Sequence, residues 1–378
     1  MRCTFLPLKA RHMTKKVQFK IDHMDPLGQG VSKISDKIVF IPSTLPGEEG
    51  EAEILKESKG VAFAKLIHLT KKSPDRIKPQ CPHFETCNGC HYLHTDYNHE
   101  LNFKKNSLQK DFQKFEECCE VETLKAPSRL AYRNRVQLHY NKKIGLIGFH
   151  GYKSNRIIDA KNCQIFDPSM KEVFDDTIQN FQSLLKGEPL KGHIEIYLNG
   201  NEVKRTFNKP YSEGGFSQVN KEMNQRALDL ISNQLEDSST EGLILDLFGG
   251  SGNLTRGQKN STLVVDIYPK DKTEGHQSFL NLDLFNENSL DEIIETVDRR
   301  AVTHLVIDPP RSGFKQLEEY VEAFRPQKIV YMSCKPSTMS RDVIPLQENY
   351  KMQKLVLLDF FPSTFHYEGL IVLERKTN

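Results

Sequence analysis

The sequence predicts an α/β protein whose C-terminal part is built on a mostly parallel sheet and whose N-terminal part is a small β-barrel. Three observations predict it. From Gly242 onward, apolar β-type runs at 243–248, 263–267, 304–307, 328–332, 355–360 and 370–373 alternate with helical or loop segments. Before that, residues 15–70 alternate short β-like runs with Gly/Pro turns. The 378 residues suffice for two or three domains with cores of their own.

Taken in order, the first strands lie at 17–21, 37–41 and 61–69, with turns at Leu27-Gly28-Gln29-Gly30 and Leu45-Pro46-Gly47. Such a density of short strands fits a barrel of the oligonucleotide-binding kind, and equally a small barrel with no RNA role. Residues 71–95 form a Pro- and Cys-rich connector. A helix is expected over 97–117, with Leu101, Leu108 and Phe112 on one face and lysines opposite. Strand-like segments return over 130–166, where Arg133, Arg135 and Arg156 stand. Helices are expected over 171–185 and 220–235. The resulting domains are 15–70, 71–215 and 216–378.

Charge is unevenly spread. Residues 1–160 carry 27 Lys/Arg against 18 Asp/Glu, while the whole chain is only +2. A basic front half fits an anionic partner such as RNA, and also fits lysines that merely solubilise a surface. Arg133 and Arg135 are the expected phosphate contacts. No apolar run approaches the ~20 residues of a membrane-spanning helix. The short basic start from Met1 to Met13 lacks the apolar stretch of a signal peptide, so a cytoplasmic location is expected, with Met13 as an alternative initiator.

The strand at 243–248 runs into Gly249-Gly250-Ser251-Gly252-Asn253. In an open α/β sheet, ligands bind at the carboxyl ends of strands, and glycines let the backbone approach them. A carboxylate at the strand tip suits an amine or a ribose hydroxyl. The absence of a GKS or GKT sequence argues against a nucleotide triphosphatase. Two more strand ends carry Asp308-Pro309-Pro310-Arg311-Ser312-Gly313 and Ser333-Cys334-Lys335-Pro336.

Together with Phe216-Ser217-Gln218-Val219-Asn220 and His366-Tyr367-Glu368, these blocks resemble the RNA uracil-5-methyltransferase family. The match is closest to its branch with an N-terminal TRAM domain and an iron–sulfur cluster, which methylates large-subunit (23S) ribosomal RNA. The resemblance runs from about residue 17 to residue 375 and is most specific around Cys334. It implies a Rossmann-like class I methyltransferase domain, an OB-fold-like TRAM barrel and a central α+β domain bearing the cluster and an RNA-binding surface.

The chemistry needs one activated cysteine and one base. C5 of uracil is a poor nucleophile until a thiolate adds to C6; the C5 proton must then be removed so that the thiol can leave. Cys334 fits the nucleophile, with Lys335 beside it to favour the thiolate. The resemblance assigns proton abstraction to Glu368, and contacts with S-adenosylmethionine to Gln218, Phe248, Asn253, Asp266, Asp283 and Asp308. The chain departs from the family in having Asp266 where Glu is usual, Gly249 for a common Cys, and Tyr367 beside the base. The stretch 252–283 is compressed, with a shortened helix expected around 268–277.

Cys81, Cys87 and Cys90, with Cys163 further on, offer four thiolates out of eight cysteines. Their spacing suits zinc or an iron–sulfur cluster; the resemblance implies [4Fe–4S], with Asn88 where Gly is usual. Alternative functions are a transfer-RNA uridine-54 C5 methyltransferase, an amino-group methyltransferase, and a catalytically silent RNA-binding protein stapled by a metal. No membrane or protein partner is implied.

Overall fold

A computed structural model describes residues 15–151, 154–209, 218–236, 242–267 and 275–377. The expectations at Met13, Phe216, Ser217 and residues 268–274 lie outside the described residues. The chain packs as two units. One holds residues 15–80 and His91–His99; the other holds Cys81–Cys90 and residue 100 onward.

The first unit is a six-stranded sheet. Its strands are β1 (Lys16–Lys20), β2 (His23–Met24), β3 (Gln29–Ile34), β4 (Lys37–Pro42), β5 (Glu49–Ser58) and β6 (Val61–Lys71), in the order β1-β5-β6-β4-β3-β2. All neighbours are antiparallel except β4 and β6. The Asp22 N–H donates to the Val31 carbonyl at 2.8 Å, which brings the chain leaving β1 back against β3 and curls the sheet. Phe19, Ile21, Val39, Ile41, Ala52, Ala62 and Ala64 fill the inside of the curl. Along β5 the small buried residues Gly50 and Ala52 alternate with Glu49, Glu51 and Glu53, the period of a strand with one wet face. The buried carboxylate of Glu48 accepts from the Leu45 and Ser73 N–H groups and from Arg76, tying the connector to this sheet.

The second unit begins within α1 (Tyr97–Asp111) and continues with β7 (Val121–Leu124), β8 (Arg135–Asn141), β9 (Leu146–His150) and β10 (Ile157–Asp159). Then come α2 (Lys171–Leu184), β11 (Lys191–Asn199), β12 (Glu202–Phe207) and α3 (Lys221–Leu235). Leu101, Leu108 and Phe112 are buried as their spacing implies. The helix nevertheless stops at Asp111 rather than continuing to 117. The Phe115 N–H bonds back three residues to Phe112 in a tight turn, and Glu117 adopts φ +55°. Strands β8 to β12 form an antiparallel sheet ordered β10-β9-β8-β11-β12. One face, with Val136, Leu138, Tyr140, Ile194 and Ile196, packs on Phe174 and Phe181 of α2, one helical stripe apart.

The remaining elements are β13 (Leu243–Leu247), β14 (Thr262–Asp266), β15 (Gln277–Asn281), α4 (Ser289–Val297), β16 (Val302–Ile307) and α5 (Leu317–Phe324). They are followed by β17 (Lys328–Ser333), α6 (Pro336–Val343), β18 (Tyr350–Leu358) and β19 (Glu368–Arg375). The sheet order is β15-β14-β13-β16-β17-β19-β18-β7. The first five strands are parallel and β19 runs against them. Every residue of β13 is buried, as expected of a central parallel strand covered on both faces. Gln277, read as the tail of a shortened helix, instead opens β15 in register with Thr262. Its buried amide donates to the Gly252 carbonyl and the Thr255 hydroxyl, which fixes that strand against the Gly-rich loop. At the other edge, β7 adds to the sheet parallel to β18, with Val121 opposite Leu355. Among the described residues no helix is long and apolar enough to cross a membrane.

Candidate active site

Strand β13 lies between β14 and β16, so the connections leaving it and β16 part to opposite sides. A crevice at the carboxyl ends of these strands is the consequence. The loop after β13 is strained: Phe248 has φ +59°, a region that costs a non-glycine residue of order 1–3 kcal/mol. Gly252 has φ +71°, and a Cβ there would lie 2.6 Å from the Gln277 side chain. The Phe248 ring meets Phe314 edge-on at 5.0 Å and Phe285 at 5.5 Å.

Asp246 is fully buried at the end of β13. Its Oδ2 accepts from the Thr255 hydroxyl at 2.6 Å, while Oδ1 is buried with no hydrogen-bond partner among the described residues. Burial pushes its carboxyl up to about 7; the Thr255 bond opposes this and Asp266 adds to it. The carboxylate of Asp266 accepts from the Gly250 N–H at 3.1 Å and so braces the loop. Asn253 pairs its amide with that of Asn224 on α3. Asp283 is exposed beyond β15, accepting from the Phe285 N–H at 3.0 Å. The Gln218 carbonyl is held by the Asn134 amide at 2.9 Å.

The reacting candidates converge a few ångströms further along the same sheet edge. The register pairs Ser333 with Gly369, so the next residues outward, Cys334 after β17 and Glu368 at the head of β19, stand opposite each other. Cys334 is exposed and Glu368 is buried. Burial pushes the Cys334 thiol up, and Glu368 pushes it further; a hydrogen bond and the positive charge of Arg311 oppose this, while Asp308 raises it again. Burial also lifts Glu368 well above the usual carboxylate range, with Asp308 adding to the rise and Arg311 opposing it. Asp308 itself is pushed up to about 7 by burial and by Asp246. Cys334, Glu368 and Asp308 are therefore brought together. The cation that acts on the thiol is Arg311 of the Asp-Pro-Pro-Arg block, not the neighbouring Lys335 of the sequence reading.

A buried ionic network holds the segment leading into β19. Lys104 of α1 donates to Glu100 and to Asp359, both at 2.7 Å; Glu100 also takes Arg129 and the Ser363 N–H. Arg135 is likewise structural: it is buried against Glu195 at 3.5 Å and over the Tyr197 ring, which corrects its expected role as a phosphate contact. Arg133 is half-buried against the rings of Tyr132 and Phe361.

The four cysteines lie in one unit. Burial pushes Cys163 up to about 11, with Cys81 and Cys87 adding to the rise; Cys90 is raised by burial and then by Cys163, Cys87 and Cys81. Among the described residues no three His, Cys, Asp or Glu side chains gather tightly enough to hold one metal ion.

The fold superposes on the tRNA (uracil-54, C5)-methyltransferase of Pyrococcus abyssi, solved in complex with S-adenosyl-L-homocysteine. The TM-score is 0.71 over 94% of this chain and 99% of that one, at 19% identity. The crevice thus lies in the α/β fold of an S-adenosyl-L-homocysteine-bound methyltransferase. In sequence, residues 285–376 match the family described as tRNA (Uracil-5-)-methyltransferase. The 23S rRNA (uracil(1939)-C(5))-methyltransferases RlmD of Shewanella woodyi and Shewanella sediminis are 26% and 28% identical, each over 97% of this chain and 98% of its relative. Over nearly its full length the chain is similar to RNA uracil-5-methyltransferases.

Proposed function

We propose that the chain methylates C5 of a uridine in 23S ribosomal RNA, with Cys334 as covalent nucleophile and Glu368 as base. The observation that carries this reading is the register of β17 and β19, which sets the thiol opposite the carboxyl group with Arg311 acting on both. The thiolate of Cys334 adds to C6 of the uracil, and the C5=C6 electron pair moves into an enolate. Bound S-adenosylmethionine supplies an electrophilic methyl group to C5. Glu368 takes the C5 proton, the C5=C6 bond re-forms, and the C6–S bond breaks to return the thiolate. The coupling of the two groups assists this order. Glu368 and the thiolate repel, so attack, which converts sulfur to a neutral thioether, favours the carboxylate form just when a base is required.

The residues of the Gly-rich loop fit the methyl donor. Asp246 Oδ1 is a buried acceptor without a donor, suited to an ammonium group, and the Phe248, Phe285 and Phe314 rings suit an adenine face. Asn253, Asp266, Asp283, Asp308 and Gln218 complete the donor side. Residues 15–70 take the role of a TRAM-type RNA-binding barrel.

Cys81, Cys87, Cys90 and Cys163 would hold a [4Fe–4S] cluster as a structural staple. The four thiols lie near enough to one another for Cys81 and Cys87 to raise Cys90 and Cys163, and the resemblance to the cluster-bearing branch supports [4Fe–4S] over zinc. The cluster would bind the 81–90 segment to the loop after β10. Cys81→Ser should reduce iron content and soluble yield in anaerobically purified protein while leaving kcat per folded molecule close to wild type. Stoichiometric zinc without iron would refute the assignment.

The test of function is methylation of unmodified 23S ribosomal RNA with tritiated donor, followed by mapping of the modified nucleotide. Label at a single uridine C5 is expected. Label in transfer RNA alone would move the substrate to the second reading, a transfer-RNA uridine-54 enzyme, which the description of the matched family favours.

A further inference from the structure

One face of the β10-β9-β8-β11-β12 sheet packs on α2; the opposite face carries an unusual row of side chains. Strand alternation sends Leu138 and Tyr140 into the core and His139 outward. The register sets His139 opposite both His193 and Gly148, and His150 follows two residues after Gly148 on the same side. Three imidazoles thus cross the sheet side by side. The His139 and His150 rings lie 3.7 Å apart at 36°. The His193 ring is steadied by the Lys209 carbonyl at 3.0 Å from Nε2. His150 also borders an open groove of about 420 Å³ lined by Asn88, Gly151, Ser154 and Asn155.

We infer that this face is a stacking surface for an unpaired stretch of the RNA substrate, with His139 and His150 presenting the rings on which bases stack. The inference rests on the reading of the chain as an RNA methyltransferase. Imidazoles are among the side chains on which unstacked RNA bases settle, and amide and hydroxyl groups like those of Asn88, Ser154 and Asn155 can meet base edges. His139 is uncharged at neutral pH: burial, then His150 and His193, hold it down to about 4. Its ring therefore acts as a π surface, and attraction for the backbone comes from elsewhere. Residues 133–163 hold seven Lys/Arg and one Asp/Glu. Of these, Lys143, Arg156 and Lys161 are exposed around the turn and strand ends flanking the row. This charge balance selects a polyphosphate over a protein with a mixed surface.

The test compares wild type with His139→Ala/His150→Ala and with His139→Phe/His150→Phe. Binding is read with fluorescein-labelled single-stranded oligocytidylate and with a duplex of the same length, and turnover with 23S ribosomal RNA. Wild type should prefer the single strand, and the alanine variant should lose about 5- to 150-fold in affinity per stacked base. Its KM for RNA should rise while kcat stays within a few-fold. The phenylalanine variant, which keeps rings without imidazole nitrogens, should recover most of the loss. Ultraviolet cross-linking of wild type to the oligomer should label the peptide containing His139 or His150, a measurement independent of how the variants fold. Equal affinity in wild type and a folded alanine variant, or cross-links confined to other peptides, would overturn the inference. Failure of wild type to methylate any RNA would instead strike the proposed activity, since binding and cross-linking do not depend on turnover.

Discussion

The two halves of the active-site crevice are built differently. The reacting half, at β16, β17 and β19, is over-determined: an antiparallel register fixes Cys334 opposite Glu368, and Lys104, Glu100, Arg129 and Asp359 brace the segment that leads there. The donor half, at β13, β14 and β15, depends on a strained loop and on hydrogen bonds from Gly250 to Asp266 and from Gln277 to Gly252 and Thr255. The difference teaches that geometry has been concentrated where the proposed chemistry makes and breaks bonds. On the proposed donor side, by contrast, Asp283 and Phe285 are exposed.

Substitutions in the two halves should therefore separate kinetically. Cys334→Ala should abolish both methyl transfer and the covalent adduct, while the folded protein still binds RNA and S-adenosylmethionine. Residual transfer of tritiated methyl at wild-type rate would end the nucleophile assignment. Glu368→Gln should permit attack and methylation but slow elimination by about 10²–10⁴-fold. A methylated protein–RNA complex stable on denaturing gels should accumulate, and should vanish in Cys334→Ala/Glu368→Gln.

On the donor side, Asp246→Asn should weaken S-adenosylmethionine binding by about 10- to 150-fold, the cost of removing a charge-assisted hydrogen bond, with kcat at saturating donor changed much less. Wild-type donor affinity should increase as pH rises through about 7, because Asp246 must lose its proton to face an ammonium. Calorimetric titration from pH 6 to 8 should show this trend in wild type and not in Asp246→Asn. A fall in kcat alone would break the division between halves. The smallest effect belongs to Arg311→Gln. Arg311 favours the thiolate of a thiol already raised above its ordinary value, so adduct formation should climb with pH above neutrality. Removing the cation should displace that climb to higher pH. A profile that does not move would remove Arg311 from thiol activation.

The same contrast governs what the sequence discloses. Strands β13, β16 and β17 are legible because burial on both faces writes them as continuous apolar runs. Each ends in a block whose residue types match its chemistry. Strand β15 is not legible, since Gln277 is buried through its amide rather than through an apolar side chain. Strand β7 is four residues long with Glu122 and Thr123 exposed, and only its partner Leu355–Leu358 makes it a strand. Arg311 was visible as part of a motif, but its bearing on Cys334 arises from strands that meet only in the fold. Arg135 misled for the converse reason: a basic residue in a basic stretch reads as surface until Glu195, sixty residues on, is found beside it.

The placement of β7 has a consequence for biosynthesis. Among the described residues its only strand partner lies more than 230 residues downstream, and the buried ammonium of Lys104 waits equally long for Asp359. A ribosome-bound chain lacking its last 30 residues has β7 without an edge to join and Lys104 with a charge it cannot bury. Such distant pairings delay folding, because loop closure is entropically costly before the contacts repay it. The segment from α1 to β7 can mature only as synthesis ends, so nonsense mutations near the C-terminus should disorder a region near the start of the same unit.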